Sequence, residues 1–273
     1  MSGLFRPVLS GAARHLRDLF ASPEYRTACL LETRLGRVQR HHECGARVHG
    51  WDLRIPDAAS FLASYRELFV DGTLAFEWDA DEPRILDLGA NIGLSVLYYK
   101  RNYPRARVVA FEADPAIYRY LVKNVHGNGF VDVELVNQAA WDTAGRLRFL
   151  PDGADGGAVR EGAEAAAGFE VDACDLGAYL EGRTFDVVKM NIEGAETRVL
   201  PAIAPHLSRV RLLFVEYHSR VGEPQEFDRV VRVMAEAGFR LYVRSPWSAK
   251  SPLVATTSQN GFDMQLFLFG RRP

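Results

Sequence analysis

The feature of the sequence that most constrains the fold is a glycine turn at residues 85–93, which reads Ile-Leu-Asp-Leu-Gly-Ala-Asn-Ile-Gly. It follows a short apolar stretch and leads into a helix-like one. Gly89 and Gly93 have no Cβ, so we expect the backbone to turn sharply there and to approach a ligand closely. Glu112 follows the next apolar stretch, residues 108–111. A glycine turn after one strand and a carboxylate after the next predict a nucleoside-binding βαβ unit.

Asp87 and a missing glycine indicate which nucleoside this unit binds. The dinucleotide fingerprint is G-x-G-x-x-G, and residues 89–93 are one glycine short of it. The Asp87 carboxylate would repel a pyrophosphate but would attract the ammonium and sulfonium groups of S-adenosylmethionine. Glu112 would then accept hydrogen bonds from both ribose hydroxyls. We therefore expect a methyl-donor site, with a nicotinamide or flavin site and a purely structural turn as the alternatives.

Composition places the chain among ordinary soluble enzymes. Its 273 residues are 48% hydrophobic and 25% charged, which suits one large α/β domain with a small extension. The net charge of −2 gives no reason to expect a nucleic-acid partner. No N-terminal apolar run is long enough for a signal peptide or a membrane span, and the three cysteines have no paired spacing. We expect a cytoplasmic protein with reduced thiols.

Residues 1–80 lack a regular alternation of strands and helices, and we interpret them as an N-terminal cap or dimerisation extension that also reaches the active site. Residues 4–20 have the pattern of a basic amphipathic helix, suited to packing on the same chain or on a second copy in a homodimer, with membrane-surface contact as the minor alternative. Residues 35–40 and 46–55 are predicted to form a strand pair. The apolar spacing over 56–69 predicts a helix.

Residues 81–273 alternate strands with helices, which predicts a Rossmann-like α/β domain. The predicted strands are 84–88, 107–111, 131–136, 185–190, 209–216, 239–243 and 264–269, and the predicted helices are 93–102, 115–126, 175–181, 195–204 and 224–237. Because a polar loop joins the last two strands, we expect a seven-stranded, mostly parallel sheet with its last strand antiparallel and helices on both faces. The glycine-rich residues 151–168 predict a flexible loop, either a mobile surface segment or a lid.

Four stretches carry a resemblance to a known family, namely residues 85–93, 109–115, 121–124 and 188–196. The last reads Val-Lys-Met-Asn-Ile-Glu-Gly-Ala-Glu, a pattern much more specific than the glycine turn. Over residues 70–272 the chain resembles the FkbM-like methyltransferases, a branch of the class I S-adenosylmethionine-dependent family. The resemblance implies a seven-stranded fold with its last strand antiparallel, and methyl transfer to an oxygen of a sugar or a small natural product.

One position departs from the pattern of that family, which usually carries Asp where this chain has Asn191. An Asn accepts a hydrogen bond through its amide oxygen but takes up no proton at neutral pH. The candidate donor-binding residues lie on the glycine turn or just past the ends of neighbouring strands. They are Asp87, Gly89, Ala90, Asn91, Gly93, Glu112, Ala113, Ala140, Trp141 and Asn191. Trp141 is either a wall of the adenine pocket or part of the core.

Methyl transfer to a hydroxyl requires an aligned acceptor oxygen and a group that removes the hydroxyl proton. Ligands in open α/β sheets bind beyond the carboxyl ends of the strands, so we sought candidates after the fourth and fifth strands. The catalytic candidates are His218, Glu193, Glu216 and Lys189. His218 is the side chain best suited to proton transfer near neutral pH, with a structural hydrogen bond as the alternative. We expect Lys189 to pair with a carboxylate such as Glu193 or Glu216, since an unpaired buried charge is costly.

A divalent metal is an alternative that we do not favour, with Glu193, Glu216, His218 and the Asn191 oxygen as its ligands. The leading hypothesis is an S-adenosylmethionine-dependent methyltransferase that acts on a hydroxyl of a small-molecule acceptor. A nicotinamide-dependent oxidoreductase and a catalytically degenerate binding subunit are the competing hypotheses. The acceptor is not determined by the sequence, because specificity resides in segments whose pattern is irregular.

Overall fold

The computed structural model describes residues 11–80, 82–154, 156–159, 167–255 and 257–272. The helices are α1 (Gly11–Ala21), α2 (Pro23–Leu35), α3 (Ala58–Tyr65), α4 (Leu94–Asn102), α5 (Pro115–Val125), α6 (Leu176–Leu180), α7 (Glu196–Ile203) and α8 (Phe227–Glu236). The strands are β1 (Cys44–Val48), β2 (Trp51–Ile55), β3 (Arg84–Leu88), β4 (Arg107–Phe111), β5 (Glu134–Val136), β6 (Ala139–Trp141), β7 (Gly145–Leu150), β8 (Ala158–Val159), β9 (Phe169–Asp175), β10 (Val187–Met190), β11 (Leu212–Arg220), β12 (Arg240–Ser248) and β13 (Phe262–Arg271).

The central sheet has seven strands in the order β12-β13-β11-β10-β3-β4-β5. The strands from β11 to β5 pair in parallel, and β13 inserts antiparallel between β11 and β12. This arrangement confirms the predicted Rossmann-like sheet and its antiparallel last strand.

Side chains of the sheet alternate between two hydrophobic clusters, one on each face. Ile85 packs with α3, α4 and α5, whereas the next residue, Leu86, packs with α6, α7 and α8. Alternation of this kind follows from the two-residue period of a strand. Strands buried on both faces read as continuous apolar runs, as the four consecutive buried residues of β4 do.

The strand order also fixes where a ligand binds. The chain moves from β3 to β4 on one side of the sheet and returns to β10 on the other side. The loops after β3 and β10 therefore diverge from the sheet at a topological switch point, the place where ligands bind in open α/β sheets.

The N-terminal extension contains a strand pair, but not at the predicted positions. The strand predicted over 35–40 is wrong, because α2 runs to Leu35 and turns follow it. β1 pairs with β2 instead, through a turn in which His49 and Gly50 both have positive φ, 52° and 89°. A turn with two left-handed residues usually carries Asn-Gly or Asp-Gly, so His-Gly gave a weak signal in the sequence.

The helix predicted over 56–69 is confirmed and packs on the main domain. Asp57 caps α3 by accepting a hydrogen bond from the Ser60 N–H at 2.9 Å, and a π-helical turn, Arg66–Val70, continues the helix. Phe69 packs edge-on against Tyr98 of α4, with ring centroids 5.3 Å apart. The extension thus shares one hydrophobic core with the domain. Of the helix predicted over 4–20, residues 4–10 lie outside the described residues, and α1 covers the rest.

A second sheet, in the order β6-β9-β7-β8, was not expected from the sequence. It includes residues 158–159 of the predicted loop, whose residues 155 and 160–166 lie outside the described part of the chain. Among the described helices, none combines the length and the apolar composition that crossing a bilayer requires.

Candidate active site

A cavity of about 330 Å³ opens at the carboxyl edge of the central sheet, a volume in the range of small-molecule sites. The cavity is lined by the glycine turn after β3, the end of β4, the loop after β10, and Phe214 and Glu216 of β11. The extension contributes α3 and the π-helical turn. The cavity therefore lies at the switch point and is closed on one side by the N-terminal extension.

Most of the predicted site residues share this cavity. The residues that line it are Gly89, Ala90, Asn91, Glu112, Ala113, Ala140, Trp141, Asn191, Lys189, Glu193 and Glu216. Three predicted residues, Asp87, Gly93 and His218, do not line it and are buried in the surrounding protein.

The two glycines of the turn permit close contacts within the protein. Gly89 has φ +82°, and a Cβ on it would lie 1.8 Å from the carbonyl oxygen of Asn191. Gly93 has φ +94°, and its Cβ would lie within 3 Å of Leu121 and Val125 of α5. The sharp turn predicted at these glycines is confirmed, and the missing Cβ of each leaves room for a neighbouring part of the fold.

Asp87 and Lys189 form a buried ion pair beneath the glycine turn. They face each other across β3 and β10, and Lys189 Nζ lies 3.0 Å from Asp87 Oδ1. Lys189 Nζ also donates to the carbonyl oxygen of Gly89 at 2.5 Å, and Ser95 donates to Asp87 Oδ2. The partner of Lys189 is therefore Asp87 and not the predicted Glu193 or Glu216. The Asp87–Lys189 ion pair, with the hydrogen bond to Gly89, thus holds the glycine turn in place.

Glu112 is held by backbone N–H groups on both of its oxygens. Asn91 N donates to Oε2 and Asp114 N donates to Oε1, each at 2.9 Å. Burial raises the pKa of Glu112 to about 7, although these two hydrogen bonds lower it. A carboxylate offers about four lone-pair sites, so two are left to accept hydrogen bonds from a ligand.

His218 lies behind the cavity among three carboxylates. Its Nδ1 is 3.2 Å from Glu196 Oε1, and its Nε2 is 3.5 Å from Glu216 Oε1 and 3.6 Å from Glu193 Oε1. Burial alone would lower the pKa of His218, but the carboxylates of Glu193 and Glu196 raise it well above its usual range. His218 does not line the cavity and both of its ring nitrogens face carboxylates, which fits the structural alternative better than the predicted role as general base.

The loop after β10 is strained where it meets the cavity. Glu193 has φ +56° and Gly194 has φ +101°, and left-handed backbone is costly for a residue with a Cβ. Glu196 holds the loop by accepting hydrogen bonds from the N–H groups of Ile192 and Gly194, each at 3.0 Å. The strain places the Glu193 carboxyl on the cavity and near His218.

Asn191 contacts Glu216 through its amide group. Asn191 Nδ2 donates to Glu216 Oε2 at 2.7 Å, while Asn191 Oδ1 is buried with no hydrogen-bond partner among the described residues. An Asp at this position would place a second carboxylate against Glu216, so the amide suits its neighbour.

The four side chains considered as metal ligands lie close together but contact one another, His218 with Glu193 and Glu216, and Asn191 with Glu216. Both ring nitrogens of His218 face carboxylates, and His218 does not line the cavity. In the part of the chain that the structure describes, no group of three or more His, Cys, Asp or Glu side chains is arranged to hold a metal ion.

Glu67 is a site residue that the sequence prediction missed. It belongs to the π-helical turn of the extension and lines the cavity. Burial raises the pKa of Glu67 to about 8, and the Glu216 carboxylate adds to this rise. The available signal was a carboxylate beside apolar residues of a predicted helix, which is weak because helices usually expose such residues to water.

The charged side chains that line the cavity are mostly acidic. Lys189 is the one basic residue among the described residues of the lining, and it is paired with Asp87. The acidic ones are Asp57, Glu67, Glu112, Asp114, Asp152, Glu193 and Glu216. A cavity lined mostly by acidic side chains attracts cations and disfavours anions.

Comparison with known proteins identifies a family. The model of the family described as "Methyltransferase FkbM domain" matches residues 87–241, more than half of the chain. The protein named Methyltransferase sdnD from Sordaria araneosa is 44% identical over 61 residues, which are 22% of this chain and 24% of that protein. The 2-O-methyltransferase NoeI from Sinorhizobium fredii is 26% identical over 157 residues, which are 50% of this chain and 63% of that protein.

A solved structure, Methyltransferase FkbM from Methylobacillus flagellatus, is 14% identical with a TM-score of 0.48 and covers 89% of this chain and 59% of that one. The chain thus spans less than two thirds of the length of each of these proteins.

Proposed function

Since the chain belongs to the FkbM methyltransferase family, we propose that it transfers a methyl group from S-adenosylmethionine to a hydroxyl oxygen of a sugar or a small natural product. One observation carries this proposal. Glu112 and the glycine turn, which suit the donor, share a cavity with the carboxyl groups of Glu67, Glu193 and Glu216, which suit a hydroxyl acceptor. When bound, S-adenosylmethionine supplies a methyl group activated by a sulfonium.

The donor end of the cavity fits a nucleoside. Glu112 keeps two lone-pair sites for the two ribose hydroxyls, and its orientation is fixed by the N–H groups of Asn91 and Asp114. Ala140 and Trp141, at the end of β6, lie on the same cavity and provide an apolar surface for adenine. The glycine turn and Asn191 are left for the amino-acid part of the donor.

The charge of the cavity suits a cationic donor. The acidic lining attracts the sulfonium and ammonium groups, although Asp87 acts on them only at a distance because Lys189 neutralises it. The same acidic lining disfavours a carboxylate or phosphate as the acceptor. Carboxyl groups accept hydrogen bonds from hydroxyls, and the 2-O-methyltransferase activity in the name of NoeI supports an oxygen acceptor.

Calorimetric titration with S-adenosylhomocysteine tests the donor site. We expect the wild type to bind, and Glu112→Ala to bind at least about tenfold more weakly because two hydrogen bonds to a charged group are lost. Glu170→Ala, on the exposed face of β9, is the control and should bind as the wild type does. Undiminished binding by Glu112→Ala would overturn the site, and selective binding of NADH would favour the oxidoreductase hypothesis.

A screen with tritiated S-adenosylmethionine tests methyl transfer. The acceptors are a pool of methyl glycosides and a pool of hydroxylated aromatic compounds, each with a matched pool in which the hydroxyls are acetylated. We expect label in a free-hydroxyl pool and none in its acetylated match. Donor binding without transfer to any acceptor would favour the catalytically degenerate binding subunit.

A further inference from the structure

Glu67 reaches the cavity from outside the methyltransferase domain. It lies in the π-helical turn Arg66–Val70, which is closed by a hydrogen bond from Asp71 N to Arg66 O at 2.9 Å. Leu68 and Phe69 of the same turn are buried in the core, while Glu67 lines the cavity. Single π-helical turns within α-helices are often found at functional sites, where they redirect a side chain.

Glu67 differs from the other carboxyl groups of the cavity in its contacts. Glu112 accepts two backbone N–H groups, and Asp114 and Asp152 each accept two in the same way. Glu193 and Glu216 both lie against the His218 imidazolium. No described residue donates a hydrogen bond to the Glu67 carboxyl or forms an ion pair with it. Its proton-accepting oxygens are therefore directed to the cavity.

The surroundings of Glu67 set its protonation near neutral pH. Burial raises the pKa to about 8; the carboxylates of Glu216 and Asp71 add to this rise, and Lys189 and Arg244 oppose it. The guanidinium of Arg244 is engaged elsewhere, since it donates to Thr73 Oγ1 at 2.5 Å. A group whose pKa lies near the working pH is the most effective general base.

We propose that Glu67 accepts the proton of the acceptor hydroxyl during methyl transfer, so the N-terminal extension completes the active site. This assignment rests on the proposed function. The Glu67 carboxylate takes up the hydroxyl proton while the acceptor oxygen bonds to the methyl carbon, whose bond to sulfur breaks and leaves its electron pair on sulfur. Glu67 thus takes the role first considered for His218, which does not line the cavity.

Carbodiimide labelling tests the assignment without any acceptor. Dicyclohexylcarbodiimide modifies protonated carboxyl groups in apolar surroundings, and peptide mass spectrometry quantifies each site. At pH 7 we expect Glu67 to be labelled at least tenfold faster than Glu77, an exposed glutamate of the same extension. The labelling rate of Glu67 should fall as the pH rises, with a midpoint near 8. Labelling no faster than that of Glu77 would overturn the assignment.

Donor binding separates this assignment from the proposed function. Glu67→Gln should bind S-adenosylhomocysteine within twofold of the wild type, because the donor contacts lie at Glu112 and the glycine turn. A wild type that does not bind would overturn the proposed function. Loss of binding in Glu67→Gln alone would instead make Glu67 a donor-site residue and overturn its role toward the acceptor.

The rate of methyl transfer to the methyl glycoside pool provides the second readout. We expect Glu67→Gln to lower kcat about 100-fold or more with the KM for S-adenosylmethionine unchanged, and Glu67→Asp to keep part of the rate. Glu77→Gln is the matched control and should match the wild type. A Glu67→Gln enzyme within threefold of the wild-type kcat would contradict the assignment.

Discussion

At one end of the cavity, the Glu112 carboxyl accepts hydrogen bonds from two backbone N–H groups; at the other, the Glu67 carboxyl accepts none from any described residue. Burial raises the pKa of both groups, to about 7 for Glu112 and about 8 for Glu67. Glu112 is thus oriented before a ligand arrives, which suits binding. Glu67 is poised to exchange a proton, which suits chemistry. The two carboxyl groups thus have similar pKa values but different hydrogen-bond partners, and that difference is the basis of the different roles that we propose for them.

The largest effect on stability is expected from a substitution in the glycine turn at the donor end of the cavity. Gly89→Ala would place a Cβ 1.8 Å from the Asn191 carbonyl oxygen at a positive φ. We expect a loss of more than about 4 kcal/mol in the free energy of unfolding, or no soluble protein. Gly127→Ala, where a Cβ meets nothing within 4 Å, is the control. Urea denaturation measures both, and a Gly89→Ala protein within 1 kcal/mol of the wild type would contradict the structure.

The second largest effect is expected at the Asp87–Lys189 ion pair beneath the glycine turn. Lys189→Met leaves the fully buried Asp87 without its cation, and we expect a loss of about 3–5 kcal/mol in unfolding free energy. The exposed Lys123 gives a matched control, Lys123→Met, with an effect below about 0.5 kcal/mol. Adding Asp87→Asn to Lys189→Met should recover part of the loss. A double variant less stable than Lys189→Met would show that the two charges do not act as a pair.

Glu67→Gln should stabilise the protein in a pH-dependent way. The folded-state pKa of Glu67, about 8, lies above its ordinary value of 4.5, so protonation stabilises the folded wild type below pH 4.5. The wild type loses this contribution as the pH rises toward 8, and the total loss in its free energy of unfolding is on the order of 2–5 kcal/mol. The amide of Gln does not titrate, so the Glu67→Gln variant does not lose this stability over the same pH range. Thermal unfolding should show the advantage of Glu67→Gln growing between pH 5 and 8, and a pH-independent difference would contradict the burial of Glu67.

The smallest effect is expected at Asn191. Asn191→Asp removes the amide donor that contacts Glu216 Oε2 at 2.7 Å and replaces it with a second carboxylate. We expect a loss of about 1–2 kcal/mol at pH 8 that diminishes at acid pH, where one of the two carboxyls is protonated. Glu216→Gln should restore stability in the Asn191→Asp background. Equal stability of Asn191→Asp and the wild type at pH 8 would show that the carboxyl groups do not face each other.

The donor end was predictable because its signals are local. A strand, a glycine turn, a second strand and Glu112 follow one another within residues 84–112, and the parallel sheet brings them together. The apolar runs likewise predicted all seven strands of the central sheet. The sequence did not reveal that Asn191, about 100 residues later in the chain, crowds Gly89.

The acceptor end depends on tertiary packing, which residue patterns do not reveal. Glu67 reaches the cavity because the π-helical turn Arg66–Val70 packs on α4 through Phe69 and Tyr98. His218 was chosen for its ordinary pKa, but the carboxylates of Glu193 and Glu196, from the loop after β10 and the start of α7, raise that pKa. Likewise, Lys189 forms its ion pair with Asp87 because β3 pairs with β10 in a register that places the two residues side by side. Each of these relations joins residues that are distant in sequence.

The most direct test of a cavity divided into a donor end and an acceptor end is one titration with S-adenosylhomocysteine across three proteins. The structure predicts binding by the wild type, binding weakened at least about tenfold in Glu112→Ala, and binding within twofold of the wild type in Glu67→Gln. Equal losses in the two variants, or a loss confined to Glu67→Gln, would contradict the division of roles between these two carboxyl groups.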